Sequence, residues 1–379
     1  MSVKRALLLA MMSRLQPGKV LLLFGARRVG KTVLLKQIQA AFQGKTLRLN
    51  GEDADTQALL ANRSASNYRT LLQGVDLLIL DEAQNLPEVG LKLKLIVDEV
   101  DNIRVIASGS SSFDLQNLVG EPLVGRAHTF HLFPFSQQEI GQTENRLETH
   151  QNLEQRLVYG SYPETLSMSN QDRKEYLAEI VSSYLLKDIL AFDGIRSSEK
   201  MRNLLRLIAF QTGNLVSYDE LGTQLGMSKN TVERYLDLLS KVFVVHRLSG
   251  YSANLRKEIT KASKWYFYDN GIRNALIGNF SPLALRQDVG ALWESYLISE
   301  RLKRCNFQRL SEQHFFWRTY DGQELDLLEK SESGLQGFEF KWGGKTPKCP
   351  VAFAKAYPEA KFMIVNPDNY LDWLTYPSQ

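Results

Sequence analysis

Two cysteines, Cys305 and Cys349, are all that the 379 residues contain. That is too few for a disulfide framework or a four-thiolate zinc site, and such usage fits a reducing cytosol. Apolar runs are short as well. None reaches the roughly 18 residues a helix needs to cross a bilayer, so no membrane contact is expected and the localisation reads as cytoplasmic. The opening Lys4-Arg5 and the apolar stretch 6–12 resemble the start of a signal peptide, but no small-residue cleavage site follows. Ser13-Arg14-Leu15 instead continues a helical pattern, which predicts an amphipathic helix. The five histidines show no metal spacing with the cysteines, and residue order alone makes no case for a Ser-His-Asp triad. Hydrophobic residues at 44% and charged residues at 23% exclude a disordered chain or a coiled-coil rod.

At about 150 residues per domain the length predicts two or three domains. The net charge of +4 is unevenly placed: residues 200–275 hold twelve Lys and Arg against six Asp and Glu. A basic middle segment suggests contact with a polyanion, with a solvated face as the alternative.

Residues 20–24 form a continuous apolar run, the pattern of a strand buried on both faces. Gly25-Ala26-Arg27-Arg28-Val29-Gly30-Lys31-Thr32 follows, a full match to G-x-x-x-x-G-K-[ST], and then Val33-Leu34-Leu35 at helical spacing. The glycines let backbone N–H groups face a β-phosphate, the helix N-terminus adds positive potential, Lys31 neutralises phosphate oxygens and Thr32 reaches magnesium. Gly25, Arg28, Gly30, Lys31, Thr32 and Val33 are thus the candidate nucleotide-binding positions for ATP with Mg2+. The second half of such a site is an apolar strand ending in acids, supplied by residues 75–82: Asp81 for the metal shell and Glu82 to polarise the attacking water. Capping of a helix near Pro87 is the alternative role of this pair. A third strand at 104–107 leads into Ser108-Gly109-Ser110-Ser111-Ser112, where Ser110 is the expected γ-phosphate sensor and Ser111 the next choice.

Together with Leu80-Asp81-Glu82-Ala83-Gln84 and Gly125-Arg126 leading into Leu132-Phe133-Pro134-Phe135-Ser136, these motifs resemble the prokaryotic AAA+ ATPases of the AAA_14/DUF4143 family. The similarity covers nearly the whole chain, because Gly160-Ser161-Tyr162-Pro163-Glu164 resembles the family's Gly-Gly-Tyr-Pro-Glu marker, with Ser161 in place of the second glycine. The resemblance implies an ATP hydrolase that assembles as a homo-oligomer, up to a hexameric ring. It also implies an arginine that reaches a neighbouring subunit's nucleotide, for which Arg126 is the candidate, with a structural salt bridge as its other reading.

Residues 146–198 read as a helical lid. In 199–280, Ser217 with Glu220 forms a capping box, Gly226 closes one helix and Ser228 starts the next, giving a helix-turn-helix. Its last helix buries Val232, Tyr235, Leu236 and Leu239 and presents Lys229, Asn230 and Arg234. Strand-like segments at 243–248 and 265–268 flank Arg256 and Lys257, which resembles a winged helix with a basic wing for duplex or branched DNA. In 281–379, Glu294 on a helix, Asp326 on one strand, and Glu339 and Lys341 on the next resemble a PD-(D/E)xK nuclease core that lacks the proline of its first motif.

The expected fold class is therefore α/β: a P-loop AAA+ core over 1–145, the lid, the winged helix and a restriction-endonuclease-like C-terminal domain. The expected function is an ATPase that couples its nucleotide cycle to DNA remodelling or translocation. The alternatives are an ATP-controlled, magnesium-dependent DNA nuclease and a non-enzymatic regulatory or protein-binding switch.

Overall fold

The computed structural model describes residues 3–109, 122–185, 197–252, 263–344 and 347–375. Ser110 and Ser111, and Arg256 and Lys257 of the expected basic wing, lie outside the described residues. The chain divides into two compact units, one of residues 1–135 with 241–243, the other of 136–240 and 244–379.

The first unit runs α1 (Leu7–Met12), β1 (Val20–Phe24), α2 (Lys31–Ala41), β2 (Thr46–Asn50), α3 (Ala54–Leu59), α4 (Ala65–Leu71), β3 (Leu77–Asp81), α5 (Val89–Glu99), β4 (Arg104–Gly109) and β5 (Ala127–His131). Its strands are all parallel in the order β2-β3-β4-β1-β5. Helical crossovers cover both faces of a parallel sheet, so its inner strands have no polar face to offer. Accordingly β1 and β3 are buried at all five positions each. Fully burying one such aliphatic side chain contributes roughly 1.5–3 kcal/mol, so a single acid at the end of β3 does not unsettle the strand. The opening helix α1 buries Leu7 and Met11 and leaves Leu9 exposed, as its amphipathic pattern predicts.

The second unit runs α6 (Gln137–Ile140), α7 (Arg146–Gln151), α8 (Leu153–Tyr159), α9 (Asn170–Glu179), α10 (Ser198–Phe210), β6 (Leu215–Val216), α11 (Tyr218–Leu225), α12 (Lys229–Lys241), β7 (Val245–Gly250), β8 (Ser263–Phe267), α13 (Asn270–Ile277), α14 (Val289–Gln308), β9 (Gln313–Arg318), β10 (Glu324–Ser331), β11 (Gly334–Phe340), α15 (Val351–Ala356), β12 (Lys361–Val365) and α16 (Tyr370–Thr375). The Ser217 hydroxyl accepts the Glu220 N–H to start α11, Gly226 closes it in the left-handed region, and the Ser228 hydroxyl accepts from Thr231 at the head of α12. Strands β12-β11-β10-β9-β7-β8-β6 form one sheet. Segments 199–280 and 281–379, read separately in the sequence, are joined in it by a short parallel ladder, Ser249 opposite Phe315 and Gly250 opposite Phe316. The pairing gives each edge strand a partner for backbone groups that would otherwise be open.

The Gly-Ser-Tyr-Pro-Glu motif follows α8. Gly160 has φ +71° and a Cβ there would overlap the Asp269 carboxylate, whose oxygens accept the N–H groups of Ser161 (2.7 Å) and Ile272 (3.2 Å). Ser161 is not among the residues with positive φ, so a serine costs nothing in backbone strain at the position where the family marker has glycine. Gly160→Ala is expected to destabilise the chain by roughly 2 kcal/mol or more, from the left-handed backbone and the overlap together. Urea unfolding compared with Ser161→Gly, which should change little, measures it.

Candidate functional site

The turn after β1 is built for close approach. A Cβ on Gly25 would overlap the Leu132 carbonyl oxygen, Arg28 has φ +66°, and Gly30 has φ +94° as the N-cap of α2. This backbone turns into a helix, and the first N–H groups of a helix have no intrahelical partner and point along its axis, where a phosphate is favoured. The buried Lys31 ammonium donates to the carbonyls of Gly25 (2.9 Å) and Ala26 (3.2 Å), which keeps it over the loop. Val33, the last candidate of the loop, sits in the first turn of α2 and is exposed.

Thr32 and Asp81 meet: the threonine hydroxyl donates to Asp81 Oδ2 at 3.1 Å. Two further donors complete the carboxylate's surroundings. Arg48 on β2 donates to Oδ2 at 2.7 Å, and Ser108 on β4 donates to Oδ1 at 2.5 Å. Burial pushes the Asp81 pKa up, yet the bonds from Ser108, Arg48 and Thr32 outweigh it and hold the group below its ordinary value. The acid at the end of β3 is thus kept ionised, as a metal ligand must be.

Glu82 follows in the left-handed region at φ +48°, a strained choice for a non-glycine residue. Its N–H donates to Ser108 Oγ at 3.3 Å, and its side chain accepts from Gln84 Nε2 at 2.7 Å. Gly51 leaves room for it, since a Cβ there would overlap the Glu82 carbonyl oxygen. Glu82 does not cap a helix with its side chain; the short 3-10 turn Ala83–Asn85 has no such cap bond.

Ser108 and Arg48 are the residues that sequence reasoning missed. Ser108, opposite Leu23 on β1, lies inside the sheet two residues before the expected sensor Ser110. Arg48 alternates with Leu47 and Leu49 and reads as a solvated position; only the β2–β3 pairing turns it onto Asp81. Arg126 stands elsewhere. It precedes β5 at the end of the sheet where β1 begins, its carbonyl accepting from Val20, and its Nε donates to Asp98 on α5 at 2.8 Å.

A glycine-framed turn that opens a helix, beside an ionised acid tied to that helix's first hydroxyl in a five-stranded parallel sheet, defines a P-loop, AAA-type ATPase. Residues 17–141 match the model of an AAA domain, and residues 289–375 and 150–283 match two domains of unknown function, DUF4143 and DUF8612. The uncharacterized protein Rv2008c of Mycobacterium tuberculosis is 30% identical over 94% of this chain and 78% of its own length. The uncharacterized protein MJ1544 of Methanocaldococcus jannaschii is 23% identical over 93% and 82%. A Walker-type ATPase of Pyrococcus abyssi superposes with a TM-score of 0.47 at 15% identity, covering 72% of this chain and 94% of that one. The chain belongs to the prokaryotic P-loop ATPase family that joins this AAA domain to DUF4143.

The second unit holds two further clusters. On α12, Lys229, Asn230 and Arg234 are exposed, while Val232, Tyr235, Leu236 and Leu239 are buried. Lys229 pairs with Asp219 at 2.9 Å, both side chains open to solvent, and Arg234 lies 5.6 Å from the Tyr235 ring centre. The other cluster brings together Glu294, Asp326, Glu339 and Lys341, with two residues that the sequence did not point to. Glu294 accepts from Tyr266 (2.5 Å) and Lys264 (3.3 Å) on β8, and Lys341 donates to Glu339 at 2.8 Å. Asp326 accepts from the Phe340 N–H at 2.7 Å. Its burial, and then the fields of Glu294 and Glu339, push its pKa well above the ordinary range. The cluster is therefore compensated from within: ammonium groups take two carboxylates and the third favours its neutral form. Among the described residues no helix is long and apolar enough to cross a membrane.

Proposed function

We propose that the chain binds and hydrolyses ATP at the β1–α2 turn and couples that cycle to DNA through a winged helix formed by α10, α11, α12 and strands β6–β8. The observation that carries the reading is the bonded line Thr32–Asp81–Ser108, which ties the phosphate loop to the two neighbouring strands. Such a line fits magnesium: the Thr32 hydroxyl and an ionised Asp81 are the pair that would hold the ion, which supplies neutralisation of phosphate charge when bound. Gly25, Arg28, Gly30 and Val33 shape or flank the turn that receives the phosphates, and Lys31 adds a positive charge on that turn. Arg48 holds the Asp81 carboxylate in place from the side, and Ser108 fixes both Asp81 and the backbone of Glu82. Glu82 would orient water and take its proton. Arg126, at the opposite end of the sheet from Lys31, would act on a neighbour's nucleotide rather than its own, which requires a homo-oligomer.

The DNA part rests on the helix–strand–helix–helix–strand–strand order of 198–267 and on the exposed Lys229, Asn230 and Arg234 of α12. A nuclease reading at Glu294, Asp326, Glu339 and Lys341 has a specific observation for it, the convergence of three acids and a lysine. The internal compensation by Lys264 and Lys341 favours ATP hydrolysis as the principal activity.

The test is ATP turnover with no DNA and with duplex, single-stranded and branched DNA, plasmid integrity being followed in the same reactions. Stimulation by one DNA form, lost in Lys229→Ala/Arg234→Ala, is the expected result. Equal rates in all four conditions would remove DNA coupling. Magnesium-dependent plasmid cleavage that survives Lys31→Ala and disappears in Asp326→Ala would move the principal activity to the C-terminal cluster.

A further inference from the structure

The helix α14 ends at Gln308, Arg309 turns the chain back in the left-handed region at φ +56°, and β9 begins at Gln313. This turn brings together Cys305 on the helix, Glu312 before the strand and His314 within it. One ligand atom from each of the three lies within 4.8 Å of the other two. The Cys305 Sγ is 3.1 Å from Glu312 Oε2 and 3.7 Å from His314 Nε2. In a tetrahedral zinc site with bonds of about 2.3 Å to sulfur and about 2.0–2.1 Å to nitrogen or oxygen, the ligand atoms stand about 3.5 Å apart. The two observed separations bracket that distance.

We propose that Cys305, Glu312 and His314 form a binding site for one zinc-class divalent cation, which clips the end of α14 to the start of β9. Thiolate, carboxylate and imidazole together suit a borderline-soft ion such as Zn2+, whereas Mg2+ prefers oxygen ligands alone. The charge balances: thiolate and carboxylate offset the two positive charges while His314 ligates as the neutral ring. On binding, the Cys305 S–H bond breaks, its proton goes to solvent, and a sulfur–metal bond forms, with no change of oxidation state. A water fills the fourth position.

Glu329, held by a two-point pair with Arg301 (2.5 and 2.7 Å), lies 3.3 Å from the same His314 Nε2, so that nitrogen must leave this carboxylate, with the ring proton on Nδ1, to take the ion. Arg304 is buried, and its Nη1 and Nη2 have no hydrogen-bond partner among the described residues. Glu312, Cys305 and Glu329 act on that guanidinium electrostatically, and a thiolate at Cys305 would add negative charge beside it. Spacing along the chain does not reveal the site because its ligands approach across a helix-to-strand turn, with no Cys-x-x-Cys or His-x-x-x-His pattern.

The test uses the full chain, stripped with chelator and titrated with Co2+ alone and with Zn2+ alone, no nucleotide present. Expected is one equivalent of Co2+ giving sulfur-to-cobalt charge-transfer absorption with intense visible bands of a tetrahedral site, all displaced by Zn2+. The charge-transfer band should vanish in Cys305→Ser and persist in Cys349→Ser. In His314→Gln, Zn2+ affinity should fall at least ~10-fold, with circular dichroism confirming that each variant is folded. The P-loop and the carboxylate cluster around Asp326 offer only oxygen and nitrogen ligands, so neither can produce the sulfur band. Absence of that band in the unaltered chain, or its survival in Cys305→Ser, overturns the proposal.

Discussion

Glu82→Gln is expected to lower ATP turnover by roughly 10²–10⁴-fold, the span that a positioned general base contributes, while leaving ATP affinity within a few-fold of the unaltered chain. The amide is isosteric and keeps an oxygen for the Gln84 Nε2 bond, and the left-handed backbone at Glu82 is fixed by the Ser108 bond and the space beside Gly51, neither of which involves the carboxylate. What is lost is the ability to take a proton from water. Lys31→Ala should fail differently. Removing an ammonium directed across the phosphate loop deletes charge-assisted contacts, and an affinity loss of roughly 10–100-fold is expected. Titration of ATP with magnesium by calorimetry, beside steady-state phosphate release, separates the two. Equal turnover in Glu82→Gln and the unaltered chain would show that another group polarises the water. A Glu82→Gln variant that no longer binds ATP would place the residue in binding instead.

The contrast between what the sequence reveals and what it conceals follows from how local each feature is. The phosphate loop is legible because strand, turn and helix are contiguous, and Gly25 and Gly30 are demanded by a carbonyl overlap and a positive φ within that stretch. Asp81 is legible because a charged residue ends an otherwise apolar run. Its partners are not, because they come from β2 and β4 and their sequence signals are ordinary: one arginine in an alternating strand and one serine among several. The C-terminal cluster shows the same division. The strand pair and the helix that bear Asp326, Glu339 and Glu294 can be read from alternation and period, but Lys264 and Tyr266 sit some thirty residues upstream of Glu294 and look like a buried aromatic strand. Pairing of β7 with β9 is equally hidden, since a two-residue parallel ladder leaves no period of its own. Short-range geometry is written in residue type and spacing; which acid meets which base across the sheet depends on strand order.

Asp288→Asn is expected to destabilise the second unit by ~3–5 kcal/mol, the cost of leaving buried charge without its counterion. Two guanidinium groups converge on this one carboxylate. Arg273 Nη1 donates at 2.5 Å, and Arg286 donates through Nε and Nη2 at 2.8 Å each, with side-chain exposures of 3% and 0% for the arginines against 28% for Asp288. Both arginines also reach Asn274 Oδ1, and Asn274 in turn donates to the carbonyls of Leu157 and Val158 on α8. The amide that Asp288→Asn introduces could replace one hydrogen bond but no charge, so the excess positive charge would be felt through α8, α13 and the start of α14. The pH dependence gives an independent reading. Burial pushes Asp288 upward, but the bonds from Arg286 and the field of Arg273 prevail and its pKa falls to about 2, below the ordinary 3.8. A depressed carboxylate stabilises fully above its unfolded pKa and loses that stabilisation as pH falls through its folded one. The shift corresponds to about 2 kcal/mol, so the stability gap between Asp288→Asn and the unaltered chain should be constant above about pH 5 and narrow between about pH 4 and pH 2. Urea midpoints at a series of pH values measure it. A gap below about 0.5 kcal/mol at pH 7, the range of an ordinary surface change, would mean that solvent or another acid neutralises the two arginines.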